Sequence, residues 1–119
     1  MKKEIIIDAT DKKLGRLASE VASSLRGKTD PDFLPNRTTF SRVIVKNVDA
    51  MSLSEKKLKE TFFGSYSGYP GGLRQRSASS VAAKDKRELL KRAVSGMLKN
   101  NRIKTPILKG LILYHGDKE

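Results

Sequence analysis

Apolar residues recur along the chain with two different periods, and each stretch of periodicity predicts an element. Glu4 to Asp8 holds three consecutive isoleucines, Ile5, Ile6 and Ile7, the pattern of a short strand covered on both faces, as in a parallel sheet. Leu14, Leu17, Ala18, Val21, Ala22 and Leu25 then stand at i, i+3, i+4, i+7, i+8 and i+11. That spacing makes one apolar helical stripe, with Thr10 or Asp11 as N-cap and Gly27 as C-terminal cap. Arg16, Glu20, Ser23 and Ser24 lie off the stripe and are expected in solvent. Residues 29–41 carry two prolines and read as a loop, and Val43-Ile44-Val45 with Val48 reads as a second strand. Strand, helix, strand is a crossover unit of a parallel sheet.

Farther along, Ser54 to Glu60 predicts a short polar helix or turn. A second strong helix is expected from Asp85 to about Leu98, where Leu89, Leu90, Ala93, Val94, Met97 and Leu98 form two adjacent apolar rows. Asn100-Asn101 can end it in a left-handed turn. Thr105-Pro106 predicts an N-cap with proline at the first helical position, opening a brief helix to Gly110, and Leu111 to Tyr114 a last buried strand. The expected fold class is α/β, a small sheet sandwiched by helices, in one domain over residues 1–119. No internal repeat and no low-complexity tract interrupts it.

Charge adds a partner to this picture. The 119 residues carry 25 Lys and Arg against 13 Asp and Glu, a formal net charge of +12. The excess is uneven, because no carboxylate falls between Thr61 and Lys84 or between Leu89 and Gly116. Cations without internal partners repel one another, and a polyanion relieves that repulsion, so nucleic acid is the expected partner. With no Cys, disulfides, thiolate metal sites and cysteine nucleophiles are excluded. No apolar run approaches the ~18 residues of a membrane span, and the expected compartment is the cytosol.

Little in the sequence suggests catalysis. His115, the one histidine, is expected to be an exposed side chain after the last strand. Asp8 ends the first strand at the sheet edge where α/β folds often bind ligands, and it reads either as a functional carboxylate or as a cap for the turn into the first helix. Arg26-Gly27-Lys28-Thr29 ends like a phosphate-binding loop. It lacks the first glycine, however, and its lysine follows a helix instead of preceding one. Arg26 and Lys28 remain either phosphate-binding cations or plain solvated surface.

The most informative segment is Phe62 to Arg76. Four of the seven aromatic residues lie between positions 62 and 69, interleaved with Gly64 and Gly68. Phe62 and Phe63 are expected in the core, with the glycines shaping a surface loop that lets backbone approach a bulky partner. Tyr66 and Tyr69 are expected to stack on bases or ribose, and Arg74 and Arg76 to donate to phosphates.

Three blocks, in order, carry a family resemblance. Asp8-Ala9, Leu14-Gly15-Arg16-Leu17-Ala18 and Leu25-Arg26-Gly27-Lys28 form the first, and Ser67-Gly68-Tyr69-Pro70-Gly71-Gly72-Leu73 the second. Ala93-Val94-Ser95-Gly96-Met97-Leu98 with Leu111 to Gly116 forms the third. Together they resemble, nearly end to end, the bacterial form of the universal large-subunit ribosomal protein conventionally numbered thirteen. The resemblance implies a three-layer α/β/α fold with about four strands in a mainly parallel sheet, and a structural protein without enzymatic activity that binds large-subunit ribosomal RNA early in assembly. It implies RNA contacts at Arg26 and Lys28, at Ser67, Gly68, Tyr69, Gly71 and Gly72 with Arg74, and at Lys99, Arg102 and Lys104 of the basic loop. Implied partners are ribosomal RNA and neighbouring large-subunit proteins in the cytoplasmic ribosome, with no cofactor, metal, membrane or small-molecule substrate. The chain departs from the family at Ser65-Tyr66, usually Arg-His, at Lys99, usually Pro, and at Ile103-Lys104-Thr105, usually Leu-Gly-Arg. The usual D-x-G-D is absent from residues 38–42, and the longer N-terminal extension is lacking. Two other classes remain open: an RNA-processing enzyme using Asp8, and a free-standing RNA-binding regulator.

Overall fold

The computed structural model describes residues 3–38 and 41–117; Met1, Lys2, Thr39 and Phe40 of the proline-containing loop, Lys118 and Glu119 lie outside the described residues. The isoleucine run forms strand β1 (Glu4–Asp8), paired in parallel with β2 (Arg42–Lys46), which pairs in parallel with β5 (Leu111–Leu113). Between them along the chain lie α1 (Leu14–Arg26), α2 (Glu55–Glu60), β3 (Phe62–Tyr66), β4 (Leu73–Ser77), α3 (Ala78–Lys84), α4 (Lys86–Met97) and α5 (Lys104–Leu108). The α/β class holds. Among the described residues the parallel sheet has three strands, where about four were expected, and β3 and β4 form a separate antiparallel hairpin.

Alternation along the strands sorts the sheet into two faces. Ile5 and Ile7 share a face with Val43, Val45, Leu111 and Leu113, in register across the three strands. This face joins Leu17, Val21 and Leu25 of α1 and Leu90 and Val94 of α4 in one cluster. The other face carries Ile6, Ile44 and Ile112 in a row. Ile6 is 64% exposed, so β1 is covered on one face, not on both as its sequence suggested.

Several boundaries differ from expectation for local reasons. Thr10 and Asp11 do not cap α1. The Asp8 carboxylate accepts from the Thr10 N–H (3.0 Å), the Thr10 hydroxyl (2.7 Å) and Asn47 Nδ2 (3.2 Å), and Asp11 is left-handed at φ 57°. That turn delays the helix, whose N-cap is Lys13 without a side-chain bond. Gly27 closes α1 at φ 71°, as expected. Asp85 caps α4 by accepting from the Arg87 N–H (2.9 Å), and hydrogen bonding from the Arg87 side chain holds its carboxyl below the ordinary range. The end of α4 uses no left-handed asparagine: Leu98 is extended. Met97 is 44% exposed because its row turns outward in that last turn. α5 starts one residue before Thr105, with Ile103 as N-cap, because the Asn101 side chain accepts from the N–H groups of Ile103 (3.1 Å) and Lys104 (3.2 Å).

Two glycines give a matched test of these boundaries. A Cβ on Gly110 would lie 2.5 Å from the Ser41 carbonyl oxygen, and the Gly110 carbonyl accepts the Val43 N–H (2.9 Å) at the start of the β2–β5 pairing. Gly110→Ala is therefore expected to lose about 1–3 kcal/mol through backbone displacement. Gly96, on the outside of α4, has nothing within 4 Å of such a Cβ, and Gly96→Ala is expected to gain about 0.5–1 kcal/mol from helix propensity. Urea unfolding of the two variants reads both signs.

Candidate nucleic-acid interface

Of the 23 Lys and Arg among the described residues, six are held in ion pairs with carboxylates and 17 are not. Lys3 meets Asp30 (2.6 Å), Lys12 meets Glu20 (2.9 Å), Arg42 meets Glu4 (3.6 Å), Lys46 meets Asp117 (3.6 Å), Arg87 meets Asp85 (3.2 Å) and Arg92 meets Glu88 (2.7 Å). None of these was expected to touch RNA. The seven that were, Arg26, Lys28, Arg74, Arg76, Lys99, Arg102 and Lys104, make no ion pair among the described residues.

The fold gathers five of the seven, or their neighbours in the chain, at one end of the α1–α4 pair. Gly27 donates to the carbonyls of Ser23 and Ser24 and Lys28 to that of Ser23, which ends α1 at Arg26 and places Lys28 just beyond the helix end. A shallow cleft of about 20 Å³ brings Arg26 together with Lys99 and Lys104 from the loop after α4. Arg37, from the proline-containing loop, lines the same cleft. Sequence reading missed Arg37 because it is isolated among uncharged residues; only folding places it beside Arg26. Cations here also face the negative ends of the α1 and α4 dipoles.

The second group lies on the β3–β4 hairpin. Ser67 to Gly72 close it through a turn in which the Gly72 N–H donates to the Tyr69 carbonyl (3.0 Å), with Pro70 second and Gly71 third at φ 72°. That arrangement is a type II turn, and it needs glycine at the third position. A Cβ on Gly72 would run into the Ser67 side chain. The segment expected to be a glycine-shaped loop is therefore two strands with a built turn, and most of it is exposed.

Register fixes what each side of the hairpin presents. Phe63 pairs with Arg76 and Ser65 with Arg74, so these four share one face. Phe63 packs on the smaller cluster formed by Ala78, Val81 and Leu89. The Arg92 guanidinium stands 4.6 Å from the centre of its ring. Phe62, Gly64 and Tyr66 lie on the opposite face, with Leu73 and Gln75 across from them. Phe62 is 57% exposed, so its expected place in the core is corrected. The same alternation that buries Phe63 turns its neighbour outward. The two basic groups are separated by about the length of α1. Leu14 lines a cleft with Phe63 and Arg92, Arg26 lies at the other end, and 13 helical residues span ~20 Å.

This chemistry suits binding and not turnover. The apolar-lined cleft of about 490 Å³ between Leu14, Leu53, Leu58, Phe63 and Leu89 has neither carboxylate nor imidazole in its lining, and in the larger, more open groove of about 710 Å³ the two carboxylates, Asp85 and Glu88, are each paired with an arginine. Asp8 is committed to the turn before α1. The backbone N–H of Thr10, then its hydroxyl and Asn47, hold the Asp8 carboxyl below the ordinary range, away from the near-neutral value a general base requires. His115 Nδ1 meets Asp49 Oδ1 at 3.1 Å on an exposed surface. Among the described residues no three His, Asp or Glu side chains are grouped to hold a metal, and no helix is long and apolar enough to cross a membrane.

Comparison with known proteins identifies the scaffold. The sequence model of the family described as ribosomal protein L13 matches residues 2–119. The chain is 46% identical over 111 residues to the protein named large ribosomal subunit protein uL13 of Mycolicibacterium gilvum, covering 93% of this chain and 76% of that one. It is 43% identical over 115 residues to the protein of that name from Mycoplasmopsis synoviae (97% and 80% covered), and 42% identical over 111 residues to that of Geobacter sp. strain M21 (93% and 78% covered).

Proposed function

The chain belongs to the ribosomal protein L13 family, and from that premise we propose that its two unpaired basic surfaces hold large-subunit ribosomal RNA. It is a structural constituent of the large ribosomal subunit and not an enzyme. At the helix-end surface Arg26, Lys28, Lys99, Arg102 and Lys104 contact phosphates. On the hairpin, Arg74 and Arg76 do the same, while Ser67, Gly68, Gly71 and Gly72 let backbone approach the RNA and Tyr66 and Tyr69 lie against sugar or base. Arg37 joins the first surface. Contacts to neighbouring large-subunit proteins complete the site in the cytoplasmic ribosome, and residues 1–119 act as one domain.

The observation that carries this reading is the gathering of Arg26, Arg37, Lys99 and Lys104, from separate parts of the chain, around one cleft. A protein that used its charge only for solubility would spread like charges apart, since their repulsion costs stability. Here none of the four is held in an ion pair among the described residues.

Salt titration of binding to a large-subunit RNA fragment tests it. Each phosphate contact contributes about −0.7 to −0.9 to the slope of log affinity against log salt. With all seven cations engaged the slope is expected near −5 to −6. A slope near zero would overturn the proposal.

A further inference from the structure

We propose that the outward face of the β3–β4 hairpin is a stacking platform for unpaired RNA bases, distinct from the arginine face behind it; this rests on the RNA-binding reading above and assigns Phe62 and Gln75 a part in it. Three observations lead there. Phe62, Tyr66 and Leu73 are 57%, 65% and 61% exposed on one face of a two-stranded ribbon, where a monomeric surface would ordinarily carry polar side chains. Phe62 and Tyr66 are four strand residues apart, ~13 Å at 3.3 Å each, and Gly64 stands between them. A Cβ on Gly64 would have nothing within 4 Å, so the gap between the two rings is open down to backbone. Gln75, paired directly with Gly64, lies beside that gap and offers both an amide donor and an acceptor to a base edge.

The charge behind the platform selects its occupant. Arg74 and Arg76 lie on the reverse of the same strand and make no ion pair among the described residues. A ligand that spans a ribbon about one strand pair wide meets rings on one side and guanidinium groups on the other. Single-stranded RNA has both chemistries: π faces that stack on aromatic rings regardless of sequence, and phosphates for arginine. A duplex has its bases buried and can use the arginine face alone. An apolar protein surface would leave the two arginines unmatched.

Gly64→Val is the informative variant, because valine suits a strand, its Cβ has nothing within 4 Å and the position is not left-handed. It fills the gap without disturbing the hairpin. Binding is measured to a labelled single strand of roughly 12 nucleotides, within the ~4–16 that such platforms cover, and to the same strand annealed to its complement. Phe62→Ala and Gly64→Val are expected to weaken single-strand binding about 5- to 150-fold, the range for losing one stacked base. They are expected to leave the salt slope and duplex binding unchanged. Arg74→Gln and Arg76→Gln are expected to reduce the slope by about 1 each on both ligands. If Phe62→Ala and Gly64→Val bind single strands as the native protein does, the platform is wrong while the arginine result still stands. If the arginine variants also leave the slope unchanged, RNA binding by the hairpin itself falls.

Discussion

Changing Arg26, Lys28, Lys99 and Lys104 together to Gln is expected to weaken binding to large-subunit RNA by about 10²–10³-fold at 0.15 M salt, and to lower the magnitude of the salt slope by about 3. The size follows from counterion release, since four contacts each scale with roughly the 0.8 power of salt. Stability should move the other way or not at all. The cluster puts like charges around one shallow cleft with Arg37, and their mutual repulsion disappears with the charge. The expected signature is therefore loss of affinity with an unchanged or slightly raised urea midpoint. Because the hairpin lies about one α1 length away, adding Arg74→Gln to the quadruple variant should give a free-energy change close to the sum of the parts. Strong non-additivity would mean that the two surfaces act as one.

Leu17→Ala is expected to lower unfolding free energy by about 2–5 kcal/mol, a large share of the ~5–15 kcal/mol typical of a domain. Leu17 is fully buried among α1, the covered sheet face and α4, and the surrounding helices cannot close over the space that truncation leaves. Ile6→Ala removes a similar amount of hydrocarbon from the strand next to it. With Ile6 64% exposed, its expected change stays within about 1 kcal/mol. The pair thus separates a one-sided core from a two-sided one, which would make both substitutions severe. Calorimetric midpoints read the difference, at several degrees per kcal/mol for a chain of this size.

The parts legible in the sequence were those in which one period repeats long enough to dominate. The stripe from Leu14 to Leu25 gave α1 and its glycine cap, and the isoleucine run gave β1 with its parallel partner. The second face of the sheet was not legible, because Ile6 reads like its neighbours until the fold shows that α1 and α4 pack on the same side. The hairpin was misread for a different reason. Its glycines suggested loop, while the alternation of Phe62, Gly64 and Tyr66 around a Tyr69-Pro70-Gly71 turn was a strand signal that went unused. α3, from Ala78 to Lys84, offers a helical stripe only two buried residues long, Ala78 and Val81, too short for periodicity to reveal. The basic site was legible in part as charge windows, but the gathering of its cations around one cleft is a property of tertiary structure. Arg37 illustrates this: nothing beside it in sequence relates it to Lys99.

The central claim is that this chain is a structural part of the large ribosomal subunit, held there by RNA contacts. Sucrose-gradient sedimentation of ribosomes from cells producing the tagged chain, before and after a high-salt wash, tests that claim most directly. The account predicts co-migration with large-subunit particles that survives the wash for the native chain, and a shift toward the free fractions for the quadruple variant. A native chain that stays in the free pool, with large-subunit particles lacking it throughout, would contradict the account and favour a free-standing RNA-binding regulator.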